Sequence, residues 1–578
     1  MPRPIGRILL TATERAQANR WSFWLDGSEP VDLYVGSLVR ATGVGGQTLY
    51  GVVEQVEAAT ATSGAIDAWY AWSRGDAAAD PPSQLPVIRI ARVRVVATHG
   101  HGDQPPTGPW PIYALSPADG DALAADIPNG MRVPLGFVRV GDTRQPDGWM
   151  PLFGDAAYLL GPEGAHINVT GQSGMATKSS YLLFLAEMVW RWGRRAGTPP
   201  TVVLFNVKQR DFLGLHHAPT SQSDLLVALQ EWSQTAGERL ATESAAMWEI
   251  LARFGYAPWD DPPPVRYFLP PDDPDTPRLL ASQANVQTYR YGLSDLSPEA
   301  LVDAVFELWA DPSEVQPQAD LLRSWRQQAL DAQRAYSFAD LQAQLRDAVR
   351  SSGGRRVGDM DETYHESTIH ALRRRLRSLH QRVRRVVDWD RPHAQPVTWN
   401  RLLRGGWNVV QISGESTCRP LSPYEQRLVF AAVVSELLRE PQADGTLARA
   451  VSGPPPEREP VIVVVDELNK FAPVRGPSGI RGSLIEIAAR GRGLRLSLFS
   501  AEQFASQVHR EVIGNGSTLA VGRTTASEIA LDLYNDLGAL RDQAVRLPKG
   551  SLIVQHGPFP APLVIRFPVP PSRVVLPA

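Results

Sequence analysis

The sequence predicts an α/β protein: a core built on a parallel sheet, preceded by a small antiparallel β-barrel and interrupted by a helical insertion. Three observations carry the prediction. Residues 5 to 100 hold closely spaced short β-type runs, residues 159 to 188 lay out a buried strand, a turn of small residues and a helix, and residues 461 to 467 form an apolar strand ending in the adjacent acids Asp466 and Glu467. Strands alternating with helical stretches are the mark of an α/β sheet.

At 578 residues the chain exceeds what one ordinary core organises, so two or three domains are expected. With 58 Lys and Arg against 61 Asp and Glu it is near neutral, so any nucleic-acid surface has to be local, such as a pore lining. Cys418 is the only cysteine, which excludes an internal disulfide framework and cysteine-cluster metal sites. The N-terminus MPRPIGRILLTATERAQ lacks a long apolar core, and no run of about 18 apolar residues occurs. A cytoplasmic protein with no membrane segment is the expectation.

The runs IGRILL, WSFWLD, VDLYVGSLVRA, LYGVVEQV and PVIRIARVRVVAT, separated by Gly, Asp and Ser turns, give a barrel over residues 1–125. Such a barrel serves assembly or docking, or is a plain structural cap. Residues 103 to 150, rich in proline and glycine, read as a loop followed by a hairpin that feeds the central strand.

Residues 126–212 form the first part of the core. An apolar strand from Ala165 to Val169 runs into Gly171, Ser173, Gly174, Ala176 and Thr177, then Lys178, Ser179 and Ser180, and a helix is expected from Tyr181. Small residues let backbone amides curl around a phosphate, the helix N-terminus adds partial positive charge, a lysine reaches the terminal phosphates, and a hydroxyl holds a metal. The spacing departs from the usual P-loop: Gly171 lies seven residues before Lys178, one more than the pattern, and Thr177 stands where the second glycine belongs. The next strand, TVVLFNVKQRDF, brings Lys208 and Asp211 to its carboxyl end, where ligands bind in open α/β sheets.

Residues 213–400 read as a helical insertion with proline-rich breaks, and its last helix, ESTIHALRRRLRSLHQRVRRVVDW, is basic and amphipathic. The sheet resumes over 401–578 with WNVVQISG, a helix from Pro423 to Leu438 and the strand Val461 to Val465. An aspartate at that strand end, Asp466, can hold the shell of a magnesium ion, and Glu467 can polarise an attacking water. The loop from Lys470 to Gly482 presents Lys470, Arg475 and Arg481 and no acid, which suits contact with a phosphate backbone. Beyond it come Arg490 and Arg492, then a strand ending in Ser500, Glu502 and Gln503, of which Gln503 can sense a γ-phosphate. Arg523 follows one more strand, and Arg490, Arg492 and Arg523 compete for the role of an arginine presented to the transferring phosphoryl group. The C-terminal segment reads as a hairpin and an extended tail.

In this order GPEGAHINVTGQSGMATKSS, VVLFNVKQRD, VIVVVDELNKFAP, ARGRGLRLSLFSAEQF and GNGSTLAVGRT resemble the HerA-type ATPases of the HerA/FtsK superfamily, in a subgroup with TK in place of GK. The resemblance implies a RecA-like P-loop core with a HAS-barrel-like N-terminal domain. It also implies a homo-hexamer that hydrolyses ATP with Mg2+ and moves DNA through a central channel, with a nuclease or other effector as partner in DNA repair or anti-phage defence. By position it assigns Lys178 to the phosphates, Ser179 to magnesium with Asp466, Glu467 to catalysis and Gln503 to sensing, with Ser180 the alternative to Ser179 because of the extra loop residue. The alternative from another class is a nucleotide-bound ring scaffold that restrains an effector nuclease through its barrel. A metabolite kinase has no obvious use for the barrel and insertion.

Overall fold

Alternation of large apolar and outward residues starts the first strands. In the computed structural model Trp21, Phe23 and Leu25 of one strand turn inward while Arg20 and Trp24 face out, the period-two pattern of a half-buried strand. The structure describes the chain apart from residues 1–2, 12–13, 28–32, 61–69, 71, 75, 77, 79–86, 101, 103, 141–147, 162–164, 173–177, 209–210, 307–311, 351–355, 361, 414–419, 440–458, 475–478 and 573–578. It divides into two units, one of Met1–Asp155, Arg239–Phe254 and Ala520–Pro568, the other of Ala156–Glu238, Gly255–Leu519 and Val569–Ala578.

In the first unit β1 (Gly6–Ile8), β2 (Arg20–Leu25), β3 (Leu38–Thr42), β4 (Thr48–Thr60), β5 (Val87–His99) and β6 (Pro111–Ala114) close a barrel in the order β1-β2-β5-β4-β3-β6. Trp21, Phe23, Val39, Leu49, Val93 and Ile112 fill it. The long strand β4 bends at two irregularities against β5, and Gly51 sits at one of them, where a Cβ would meet Val93 Cγ1 at 2.2 Å. The closing strand β6 lies among prolines that read as loop; its pairing with β1 and β3 is a long-range contact that local composition does not reveal. The expected hairpin follows as β7 (Arg132–Arg139) and β8 (Trp149–Asp155).

The second unit carries the parallel sheet. In chain order it contains β9 (Ile167–Thr170), α1 (Lys178–Arg195), β10 (Thr201–Asn206) and α2 (Gln222–Ala236). Then α3 (Glu238–Arg253) leads into the first unit, and the chain returns with β11 (Val265–Leu269) and β12 (Asn285–Thr288). The insertion adds α4 (Pro298–Phe306), α5 (Pro312–Asp331), α6 (Phe338–Arg350) and α7 (Glu366–Val383). The core resumes as β13 (Trp407–Gln411), α8 (Pro423–Leu438), β14 (Val461–Asp466), α9 (Gly479–Leu494) and β15 (Leu496–Glu502). These strands run parallel in the order β12-β11-β13-β10-β14-β15-β9, so one strand, β15, separates the strand of the small-residue turn from the strand of the acid pair. This is a RecA-like P-loop core with a helical insertion. Every residue of β9, β10, β13, β14 and β15 is buried, as a sheet covered on both faces requires.

The insertion read as helical also supplies β11 and β12; the run VRYFL is short and bracketed by prolines, which hides it from periodicity. In α7 the apolar stripe Ile369, Leu372, Leu376, Leu379 and Val383 is buried, while Arg382 stacks on Tyr424 with 4.5 Å between guanidinium and ring. Capping is explicit at α8, where Ser422 and Glu425 form a reciprocal box ahead of Pro423. From β16 (Thr518–Val521) the chain passes to β17 (Ser551–His556) and β18 (Leu563–Arg566), and in the first unit β17, β18, β7 and β8 pair antiparallel.

Candidate functional site

Strand β9 delivers Thr170 and Gly171 to the edge of the small-residue turn, and α1 opens at Lys178, three residues earlier than the apolar periodicity indicates. Lys178 and Ser179 therefore stand in the first helical turn, where unsatisfied amides and the helix dipole favour an anion. Lys178 is almost fully buried and its Nζ donates to the Gly171 carbonyl at 2.7 Å. Burial pulls its pKa down, and Asp466, Glu467 and Glu502 act against that pull. Ser179 Oγ donates to Asp466 Oδ2 at 2.6 Å, so the turn and the acid pair, 287 residues apart in sequence, meet.

The acid pair is held tightly. Asp466 Oδ1 accepts from the Glu467 backbone amide at 2.8 Å and its Oδ2 receives Lys208 Nζ at 3.2 Å. Lys208 also reaches Glu467 Oε1 at 2.8 Å, and Lys470 meets Glu467 Oε2 at 3.3 Å, so each carboxylate oxygen of Glu467 faces an ammonium. Burial pushes the Glu467 carboxyl up, but the two lysines outweigh it and hold the group below the usual glutamate range. Burial lowers Lys208 in turn, and Asp466 and Glu467 more than offset it. The Glu467 backbone is left-handed, at φ 60 and ψ 49. For a residue with a side chain this is a strained conformation, of the sort that concentrates at functional sites.

A third carboxyl, Glu502 at the end of β15, is fully buried beside the turn. Asn168 Nδ2 donates to its Oε2 at 3.0 Å, and Thr170 Oγ1 lies 2.8 Å from its Oε1 and 3.1 Å from Asn168 Oδ1. The Glu502 carbonyl accepts from the Gly171 amide at 3.2 Å. Burial raises the Glu502 carboxyl to about 7, against the pull of Thr170, Asn168 and Lys178 and with the help of Asp466. When protonated, Glu502 can donate to Thr170, which then donates to Asn168, leaving no acceptor facing another acceptor.

The structure thus brings together Lys178, Ser179, Lys208, Asp466, Glu467 and Lys470, and adds Glu502. Ser180 is buried in the same turn, and Gln503 follows the end of β15, half-buried. The expected turn residues Ser173, Gly174, Ala176 and Thr177, and the expected loop residue Arg475, lie outside the described residues. Arg481 is not in an irregular loop but in the first turn of α9, with Nη1 toward the Pro473 carbonyl at 3.4 Å. Arg490 and Arg492 also belong to α9 rather than to a linker after it, and Arg490 pairs with Glu486 at 3.0 Å. Arg523 follows β16, exposed, in the first unit. A signal for Lys208 was its place just past a parallel strand; for Glu502 it was the single acid closing an apolar one.

A hydroxyl and a carboxylate 2.6 Å apart, Ser179 and Asp466, are the hard-oxygen pair that magnesium takes from a protein when phosphates and water supply its other ligands. Among the described residues there is no cluster of three or more His, Cys, Asp or Glu that makes an all-protein metal cage.

No family profile matches the chain, and the comparison with curated proteins gave no match. Among solved structures it is similar to the bacterial conjugative coupling protein TrwBdeltaN70, at 13% identity over 80% of this chain and 94% of that one, with a TM-score of 0.45. TrwB in complex with ADP and Mg2+ matches at 13% identity over 77% and 96%, TM-score 0.44. VirB4 of Thermoanaerobacter pseudethanolicus matches at 14% identity over 77% and 98%, TM-score 0.37.

Proposed function

We propose that the chain is an ATP-hydrolysing motor of the HerA/FtsK class that works as a homo-hexamer and moves DNA, with a nuclease or other effector docked on its barrel. The observation that carries the reading is the meeting of Ser179 with Asp466, which gathers a buried lysine, a hydroxyl and two strand-tip acids at one point. No helix among the described residues is long and apolar enough to cross a membrane, and a cytoplasmic location accords with the reading.

Lys178 and the amides opening α1 bind and orient the phosphates, and Ser179 and Asp466 would hold magnesium. Bound there, magnesium would supply positive charge to offset that of the transferring phosphoryl group. Glu467 orients the attacking water and takes its proton, a task for which its ionised state at neutral pH suits it. Both carboxylate oxygens of Glu467 face lysines in this arrangement, and exchanging those contacts for the water is part of the proposed cycle. Glu502 fixes Thr170 and Asn168 and thereby the entry of the turn; it is a positioning residue. Lys470, Arg475 and Arg481 supply contacts to a phosphate backbone, and one of Arg490, Arg492 and Arg523 serves a neighbouring subunit.

A second reading, a nucleotide-bound scaffold with little translocation, is favoured by the same clamp on Glu467. Steady-state ATP turnover with and without duplex DNA separates the two. Stimulation by DNA supports the motor; a slow rate indifferent to DNA supports the scaffold.

A further inference from the structure

The first unit contains a cavity of about 420 Å³ with no residue of the phosphate-turn site in its wall. Four arginines line it: Arg139 from β7, Arg566 from β18, Arg239 from α3 and Arg546 from the segment before β17. Glu243 pairs with three of them. Glu243 meets Arg239 Nε at 3.0 Å and Arg139 Nη1 at 3.8 Å through one oxygen, and the other accepts from Arg566.

The described wall carries four arginines and no carboxylate. Three of the guanidinium groups share the buried carboxylate of Glu243, and the fourth, Arg546, is exposed at the rim. Arg566 is lowered from the usual arginine range by burial, and by Arg239 and Arg139 beside it, with Glu243 opposing. Trp149 carries Arg139 at 5.0 Å and Arg566 at 5.7 Å from its ring, which fixes both guanidinium planes from behind and saves the ordering entropy of capturing an anion. Concentrated, preordered positive charge in a concave wall selects anions, and arginine forks suit the oxygens of phosphate.

Most of the remaining wall is apolar, with Gln543 and Ser551 as its polar members. Tyr34 and Val564 line it, and Tyr34 keeps 43% of its surface exposed. A lone phosphate fills a small part of such a volume, which lies in the range of pockets for whole small molecules. A dianion also offsets the excess of guanidinium better than a carboxylate does.

We propose that this cavity binds a phosphorylated small molecule with an aromatic or apolar body, its phosphate held by Arg139, Arg239, Arg546 and Arg566 and its body against Tyr34 and Val564. The site is a second ligand site, independent of the phosphate turn.

Titration calorimetry on the full chain carrying Lys178→Ala, which disables the phosphate turn, tests it with adenosine monophosphate and with inorganic phosphate as probes. The expected result is one equivalent of adenosine monophosphate bound at least about tenfold more tightly than phosphate, with both weakened at least about tenfold by Arg239→Gln combined with Arg546→Gln. Arg546→Gln alone, at an exposed position, should weaken both about threefold and leaves Glu243 and its three arginines in place. No binding, equal affinity for the two probes, or affinities indifferent to both variants would overturn the proposal.

Discussion

Ser179 Oγ stands 2.6 Å from Asp466 Oδ2, which ties the first turn of α1 to the tip of β14 across the intervening strand β15. Lys178 and Glu467 are the sequence neighbours of its two members.

Lys178→Ala should weaken ATP binding at least about tenfold, since one charge-assisted contact is worth roughly 1.5–3 kcal/mol. Calorimetry with a non-hydrolysable analogue measures it, and wild-type affinity would remove the lysine from the phosphate site.

Lys208→Ala should change the acid side of the stability curve. The Glu467 carboxyl is held below its ordinary range, so it contributes stability that is present above that range and lost as pH falls through the lowered value. Without Lys208 this contribution shrinks, and denaturation midpoints of the variant should depend less on pH between about 5 and 2 than those of the native chain. Parallel curves for the two proteins would mean the pair is not coupled.

Glu502 has the opposite sign. Its folded value of about 7 lies above the unfolded one, so its contribution is full below the unfolded value and is lost as pH rises through about 7. Glu502→Gln, which is neutral throughout, should remove that loss: a slope of up to about 1.4 kcal/mol per pH unit between pH 5 and 7 disappears. Urea melts across that window measure it, and an unchanged slope would place the proton elsewhere.

Arg475→Gln with Arg481→Gln should reduce stimulation of ATP turnover by duplex DNA. It should also flatten its salt dependence by roughly one counterion for each lost contact. Equal stimulation and slope in both proteins would exclude the segment from DNA contact.

The two ends of the site differ in how far the sequence announces them. Val461 to Asp466 is legible because a run of five apolar residues buried on both faces can only be an interior strand, and an acid at its tip has to face a ligand or a cation. The helix from Pro423 to Leu438 is equally plain, with its cap, its proline and its apolar length in sequence. Lys208 and Lys470 are not legible as a clamp, because their long side chains choose partners after β10 and β14 pair in register. The distinction between Glu502 and Gln503 depends on where β15 stops, and a shift of one residue exchanges the buried face for the open one. Strands β6 and β11 escape local reading because prolines flank them and their partners are distant.

Glu467→Gln tests the account most directly, since it keeps the shape of the side chain while removing its charge and with it the ability to accept a proton. With magnesium and ATP, steady-state turnover should fall at least about a hundredfold while affinity for ATP stays within about threefold of the native chain. Native turnover in that variant would contradict the claim that Lys178, Ser179, Asp466 and Glu467 act on one triphosphate.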